Sequence, residues 1–384
     1  MTAPDTRYFK TALSLQYFIF FAVFGILLPF FNLYCYHLGF TGFQIGLIAS
    51  VQTGATVIFP VLWGILADRF NARKPIFVLC NVVCAGAWGL FLLTADFLPM
   101  LIITIFFSVF RAPIISFMEA FTMDILGPRK TSYGRVRAWG TASFVAVVVL
   151  MGRLTAAYSV NIIVPLILGG LVLQSLGALL MPAVRHRKPE NRLPLTALAK
   201  KRIVIFLTCG FLMLASHGTY YGFFSIHLEN LGLGTLFIGF AWALASVAEI
   251  TVMIASSRLF KRFALENVLV FSFFAASLRW VLLYFAVSPA AILFSQLLHA
   301  VTYGAFHMAS ILYIDRVIPE GAKTMGQALN NSVSFGLGMM VGVFVNGYFF
   351  DRLGSTPLFL GSAVVAAIGG LALWPVLKSG VEAA

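Results

Sequence analysis

Gly64-Ile65-Leu66-Ala67-Asp68-Arg69-Phe70-Asn71-Ala72-Arg73-Lys74 is a short charged break between two apolar runs, residues 44–66 and 75–94. Each run has close to the ~20 residues that an α-helix needs to cross the hydrocarbon of a bilayer. The break therefore reads as a tight loop joining two membrane-spanning helices. Gly64 lets neighbouring helices approach closely, and Asp68 puts a carboxylate where helix ends and the basic groups Arg69, Arg73 and Lys74 converge. Asn71 is a residue type that accepts positive φ. An ordinary turn flanked by basic residues does not require Asp68 in this setting.

The pattern extends to the whole chain. Of 384 residues, 60% are apolar and only 10% charged, and the mean hydropathy is +0.96. A soluble domain is about half apolar and roughly a quarter charged, so a water-facing globule is excluded. Apolar stretches between Gly, Pro and charge clusters predict twelve helices, at 12–36, 44–66, 75–94, 98–121, 134–156, 160–181, 203–228, 235–257, 266–286, 289–313, 325–348 and 355–377. The first run is too long for a signal peptide and lacks a small-residue cleavage site, so it reads as helix one. The expected fold is an all-α membrane protein with an N-terminal six-helix bundle (1–181), a polar cytoplasmic linker (182–202) and a C-terminal six-helix bundle (203–384).

The opening stretch also has an echo. At an offset of 193 residues, Leu66 falls on Leu259 and Arg69-Phe70 on Arg262-Phe263. At the same offset Gly25, Gly39 and Gly46 fall on Gly218, Gly232 and Gly239, and Phe30-Phe31 on Phe223-Phe224. The offset is close to half the length, which indicates a duplicated six-helix unit with pseudo-symmetric halves.

The net charge of +13 raises the question of a nucleic-acid partner. Sorting Lys and Arg by the loops between spans puts 21 on one side of the membrane and two, Arg153 and Arg352, on the other. Such a bias places both termini and the linker in the cytoplasm. The basic charge is topological, and no nucleic acid is needed to explain it. Cys35, Cys80, Cys84 and Cys209 lie in apolar runs without metal or disulfide spacing and read as small core side chains.

The opening stretch resembles the signature loop of the major facilitator superfamily, Gly-x-x-x-Asp-Arg/Lys-x-Gly-x-Arg/Lys-Arg/Lys, with Asn71 where glycine is usual. The resemblance implies that Gly64, Asp68, Arg69 and Arg73 latch the cytoplasmic side, and that substrate sits at mid-membrane between two parallel repeats. Further stretches are Tyr133-Gly-Arg-Val-Arg137-Ala-Trp139-Gly140 with Glu119 eighteen residues before Arg137, and Ser216-His217-Gly-Thr-Tyr220-Tyr221-Gly-Phe-Phe. Ala248-Glu249, Leu278-Arg279-Trp280 and Gln296-Leu-Leu-His299-Ala-Val-Thr302-Tyr303 complete the set. Together they resemble the 3-phenylpropionic acid transporter family and, more distantly, the lactose permease. In the lactose permease a proton-carrying glutamate follows the histidine by three residues. Here that position is Thr302, so the resemblance implies that the proton carrier lies elsewhere or that coupling is different.

Charged side chains at mid-membrane cost at least ~2.5–3.5 kcal/mol each, so each needs a partner or a purpose. The candidates are Glu119, Arg111 and Arg137 in the first half, and Glu249, Arg279, His217 and His299 in the second. Glu119–Arg137 and Glu249–Arg279 are either neutralising packing pairs or parts of a binding site. In the second reading Arg137 and Arg279 hold an anionic substrate, and Glu249 takes the proton with His299 as neighbour or relay. Arg111, beside Pro113, is an added anion clamp or the partner of a remote acid. His217, Tyr221 and Phe224 share one helix face, Trp242, Ser246 and Glu249 another, and His299 and Tyr303 a third. Such faces can stack an aromatic ring. His307 falls off the His299 face and reads as packing, and His37, His186 and His227 as boundary or loop residues. Gln327, Asn331 and Ser334 read as interhelical hydrogen-bonding groups.

These residues predict a proton-coupled secondary transporter importing a small organic anion such as an aromatic carboxylate, by alternating access. A sugar or nucleoside carrier, an exporter or a uniporter are the alternatives within the same frame. An enzyme is not expected: no metal cluster, nucleophile elbow or phosphate loop is present in the sequence, and Asp124 and Asp315 stand alone near the cytoplasmic surface. A channel fits the duplication poorly. The expected partners are a small-molecule substrate, protons and the lipid of the inner membrane, with no cofactor and a monomeric state.

Overall fold

The structure is a computed structural model that describes residues 6–127, 133–182, 200–319 and 322–381. Twelve helices among the described residues are long and apolar enough to cross a membrane. They are α1 (Tyr8–His37), α2 (Gly42–Arg69), α3 (Arg73–Leu93), α4 (Phe97–Leu126), α5 (Tyr133–Ala157) and α6 (Val160–Leu179). The second six are α7 (Lys201–Asn230), α8 (Thr235–Arg262), α9 (Leu265–Phe285), α10 (Pro289–Val317), α11 (Met325–Leu353) and α12 (Ser355–Val376). Each predicted span has its helix. The helices overrun the apolar runs at several ends, as at Leu126 and Arg262, because backbone hydrogen bonding outlasts the hydrocarbon. Most of the expected linker, 183–199 with Arg185, His186, Arg187, Lys188 and Arg192, lies outside the described residues, as do Arg129 and Lys130.

The chain divides into two compact units: Met1–Phe40, Gly54–Lys188 and Gly234–Phe240 form the first, and Thr41–Thr53, Pro189–Leu233 and Ala241–Ala384 the second. In the first, α1 packs against α4, α5 and α6, and α3 against α4 and α6. In the second, α7 packs against α11 and α12, and α9 against α10 and α12. Raising the helix numbers by six carries four of these five pairs from the first unit to the second; α1–α4 is the exception. The duplication seen in sequence is thus a duplication of packing.

The turns repeat as well. Gly39 (φ 82°) and Gly232 (φ 77°) hold the left-handed conformation that glycine adopts without strain. Around Gly39, the Phe40 N–H donates to Cys35 O and the Gly39 N–H to Tyr36 O. Leu233 and Gly232 donate likewise to Leu228 and Glu229. This crossed pair of bonds is a Schellman cap, which satisfies the last carbonyls of the helix. The loop after α2 is built the same way: Ala72 N–H donates to Ala67 O, with Asn71 at φ 49°. Asparagine therefore does here what glycine does at the other two turns.

The interior follows the rule that polar groups in hydrocarbon find partners within the protein. In the first unit Gln16 Nε2 donates to Gln174 O at 3.0 Å. Gln174 Nε2 donates in turn to Asn81 Oδ1 at 2.7 Å, and Asn81 Nδ2 to Phe77 O at 2.8 Å. This chain of amides ties α1, α6 and α3 together. All four cysteines are buried and free.

Candidate functional site

The second unit gathers most of the candidates. Arg279 on α9 is wholly buried, and each of its nitrogens is engaged. Nε donates to Ser295 O at 2.9 Å, Nη2 to Gln296 Oε1 at 3.1 Å, and Nη1 to Thr302 Oγ1 at 3.2 Å and His299 Nδ1 at 2.8 Å. Its guanidinium also lies over the rings of Tyr220 (4.4 Å) and Trp280 (4.7 Å), an arrangement that stabilises a desolvated cation. The predicted pairing with Glu249 is not what holds Arg279. Glu249 on α8, partly accessible, instead has its Oε2 3.8 Å from His299 Nε2. The acid, the imidazole and the guanidinium form a line across three helices, with the histidine in the middle.

Aromatic rings enclose this line. Tyr221 Oη is 3.5 Å from His299 Nε2, and the Tyr303 ring stacks on His299 at 5.1 Å. Trp242 donates from Nε1 to Ser225 Oγ at 3.0 Å and presents its ring to Tyr220 at 4.7 Å. His217 is buried beside Trp280, with Nδ1 2.8 Å from Met213 O. Its ring centroid is 6.3 Å from that of His299.

Two expectations change here for one reason. Residues Ala300–Ala305 of α10 are π-helical, and the extra residue in the turn rotates everything beyond it. His307, off the face of His299 on α-helical spacing, is brought back into line and stacks on Tyr303 at 6.2 Å with an 11° interplanar angle. A second π-helical stretch covers Asn331–Gly338 of α11. There the buried amide is Asn330, which accepts from Ser334 at 3.1 Å, while Asn331 is exposed. Gln327 does bond between helices, to Ile311 O at 2.7 Å. His227, in the last turn of α7, is buried, with Nδ1 3.0 Å from Ser355 Oγ.

The first unit holds a separate cluster. The Arg137 guanidinium lies 3.9 Å from the Phe21 ring and 5.6 Å from the Tyr17 ring. Tyr133 lies close enough to Glu119, Arg137 and Tyr17 to interact with all three. Tyr17 also receives a hydrogen bond from Thr122 at 3.2 Å. Arg111 lies 4.3 Å from the Phe20 ring, and among the described residues no carboxylate is within ion-pair distance of it. One nitrogen of each arginine, Nη1, is buried without a hydrogen-bond partner among the described residues.

At the loop after α2, Arg73 is buried and bridges two acids. Nη1 meets Asp124 Oδ2 at 2.6 Å, and Nη2 lies 3.8 Å from Asp68 Oδ1. Asp124 is therefore not alone, and neither is Asp315, which Lys323 reaches at 3.2 Å. Arg69 is exposed, its guanidinium 5.8 Å from the Phe70 ring. A Cβ added to Gly64 would meet nothing within 4 Å, so close packing is not what this glycine serves in the structure.

One element went unread in the sequence although its signal was there. Gly347-Tyr348-Phe349-Phe350-Asp351-Arg352-Leu353-Gly354 repeats the Gly-x-x-x-Asp-Arg of the opening stretch, with Gly354 where that stretch has Asn71. Asp351 accepts the first backbone N–H groups of α2, Gly42 at 2.6 Å and Phe43 at 3.2 Å. Gln296, Tyr220 and Tyr133 were missed as well, because their roles depend on partners distant in sequence.

Comparison with known proteins agrees with this architecture. The sequence matches the MFS_1 like family over residues 10–361. It is 25% identical over 367 residues to the "Probable 3-phenylpropionic acid transporter" of Escherichia coli (strain K12), covering 92% of this chain and 93% of that one. It is 26% identical to the maltose permease of Geobacillus stearothermophilus, covering 96% and 95%. The crystal structure of the nucleoside transporter NupG superposes with a TM-score of 0.83 at 18% identity, covering 96% and 99%. The chain belongs to the MFS_1 like family and is a multi-pass membrane transporter of the major facilitator type, not an enzyme.

Proposed function

We propose that this transporter carries a small organic anion, an aromatic carboxylate of the phenylpropionate type, together with a proton by alternating access. The observation that carries this reading is the state of Arg137 and Arg111. Both are held on aromatic rings, and each keeps a buried nitrogen with no partner among the described residues. A buried donor left unsatisfied costs ~1–3 kcal/mol, more when charged, and a carboxylate oxygen would relieve that cost. Of the two alternatives for Arg111, anion clamp or partner of a remote acid, the clamp is the one this favours. The Phe21 and Tyr17 rings beside Arg137 offer faces that an aryl group stacks on.

Glu249 takes the coupled proton. It is the acid that lies beside His299 in the second unit, and Thr302 has no proton to exchange at neutral pH. A monoanion moving with one proton transfers no net charge, whereas an uncompensated charge works against ~2.3 kcal/mol per 100 mV. Asp68, Arg69 and Arg73 act in the gating loop on the cytoplasmic face. The 21-to-2 distribution of basic residues puts both termini in the cytoplasm of the inner membrane, and the protein works as a monomer.

A neutral solute is the second reading, supported by the likeness to a maltose permease and to the NupG fold. A thermal-shift panel of aryl carboxylates, sugars and nucleosides separates the two, followed by proteoliposome uptake under an imposed pH gradient. Stabilisation by the acids and gradient-driven accumulation are expected. Stabilisation by nucleosides or sugars alone would overturn the anion, and uptake indifferent to the gradient would overturn the coupling.

A further inference from the structure

Arg279 Nη1 and His299 Nδ1 are 2.8 Å apart, and the direction of that bond is not a matter of choice. A guanidinium has only donors and keeps its charge in proteins. Nδ1 must therefore be the acceptor, with its lone pair exposed. The single proton of a neutral imidazole then sits on Nε2, which faces Glu249 Oε2 at 3.8 Å and Tyr221 Oη at 3.5 Å. An imidazolium would set N–H against N–H next to a second cation.

Arg279 cannot easily turn away to release this constraint. Ser295 O, Gln296 Oε1 and Thr302 Oγ1 occupy its other donors, and Tyr220 and Trp280 hold its faces. Gln296 is oriented in turn: its Nε2 donates to Ile292 O at 3.2 Å, so its Oε1 must be the atom turned to Arg279. The polarity of the chain is set from Ile292 O through to His299.

We infer that Arg279 is a positioning residue that locks His299 as the neutral Nε2–H tautomer, with its one donor turned toward Tyr221 Oη and the Glu249 carboxylate. This rests on the proton-coupled reading above and narrows it: His299 does not carry the proton, and Glu249 does. The groups that face His299 are Glu249 from α8, Arg279 from α9, His217, Tyr220 and Tyr221 from α7, and Tyr303 from its own helix. His217 holds the opposite tautomer, because Met213 O can only accept and so requires the proton on Nδ1. Two neighbouring histidines thus present different nitrogens, a donor on His299 and a bare acceptor on His217.

The test is nitrogen NMR of ring-labelled protein in lipid, with resonances assigned by difference from His299→Gln and His217→Gln. The expected spectrum at pH 7 and at pH 6 has a protonated Nε2 and an unprotonated Nδ1 for His299, and the reverse for His217. A protonated Nδ1 on His299, alone or with Nε2, would overturn the lock. Because the parent protein is read directly, the result does not depend on an Arg279 variant folding. Where Arg279→Gln does fold, the ring proton of His299 is expected to redistribute between Nε2 and Nδ1, and an unchanged Nε2–H form would also count against the lock. Uptake supplies a separate arm: Glu249→Gln is expected to abolish pH-driven accumulation, and accumulation at the parent rate in that variant would overturn the assignment of the proton to Glu249. If the parent showed no gradient dependence, the coupling reading would fall while the tautomer remained readable.

Discussion

Arg73 on α3 and Glu266 on α9 are equivalent positions of the repeat, 193 residues apart, and they carry opposite charges. Arg73 pairs with Asp124 at the end of α4, and Glu266 pairs with Arg316 at the end of α10. Each unit therefore clamps the start of one helix to the end of the next with a partly buried ion pair, and the polarity of the pair is reversed between the units.

The reversal makes a prediction. Arg73→Glu or Asp124→Arg alone leaves like charges together and is expected to cost about 1.5–3 kcal/mol, the scale of a charged hydrogen bond. The double exchange recovers most of that loss, since the second unit already uses the swapped order. Thermal unfolding in detergent, read as a double-mutant cycle, checks it. A double variant no more stable than the singles would show that the site cannot host the reversed pair.

The turn at Asn71 predicts a graded response. At φ 49°, Asn71→Gly is expected to be neutral or slightly stabilising. Asn71→Val should cost about 1–2 kcal/mol, because a β-branched residue crowds the following carbonyl in this region. Melting temperatures of the two variants order them, and an unchanged Val variant would contradict the conformation.

Asp351 completes the first turn of α2. The Gln44 N–H already donates to Thr41 Oγ1 at 3.2 Å while Gln44 Oε1 accepts from Thr41 N, a capping box. Asp351 takes the two N–H groups that remain before it. Asp351→Ala is expected to cost about 1–2 kcal/mol, as loss of a helix cap does, and to speed amide exchange at Gly42 and Phe43. Hydrogen-exchange mass spectrometry on the peptide spanning α2 reads this, and unchanged exchange there would refute the cap.

At the first-unit cluster, Arg137→Ala or Arg111→Ala is expected to weaken aryl-carboxylate binding by about 10- to 100-fold, the equivalent of one charge-assisted hydrogen bond. Affinity for an uncharged aryl amide of the same shape should barely move. Equal losses for acid and amide would mean that the arginines shape the site without meeting the carboxylate. Isothermal titration with the two ligands separates these outcomes.

Twelve spans, the duplication and the loop after α2 were all legible in the sequence, because hydrophobic length, repeat offset and turn chemistry are local properties that survive without neighbours. Asn71 even announced its own backbone conformation. What the tertiary structure decided was the choice of partner. Arg73 reaches Asp124 across 51 residues, and Arg279 takes His299 and not Glu249, because in hydrocarbon each polar atom settles on whichever complementary group the packing brings within hydrogen-bond reach. The π-helical turns at Ala300–Ala305 and Asn331–Gly338 were equally out of reach. They shift by one residue which side chains share a face, and nothing in a 3.6-residue periodicity records a hydrogen bond that has slipped from i−4 to i−5.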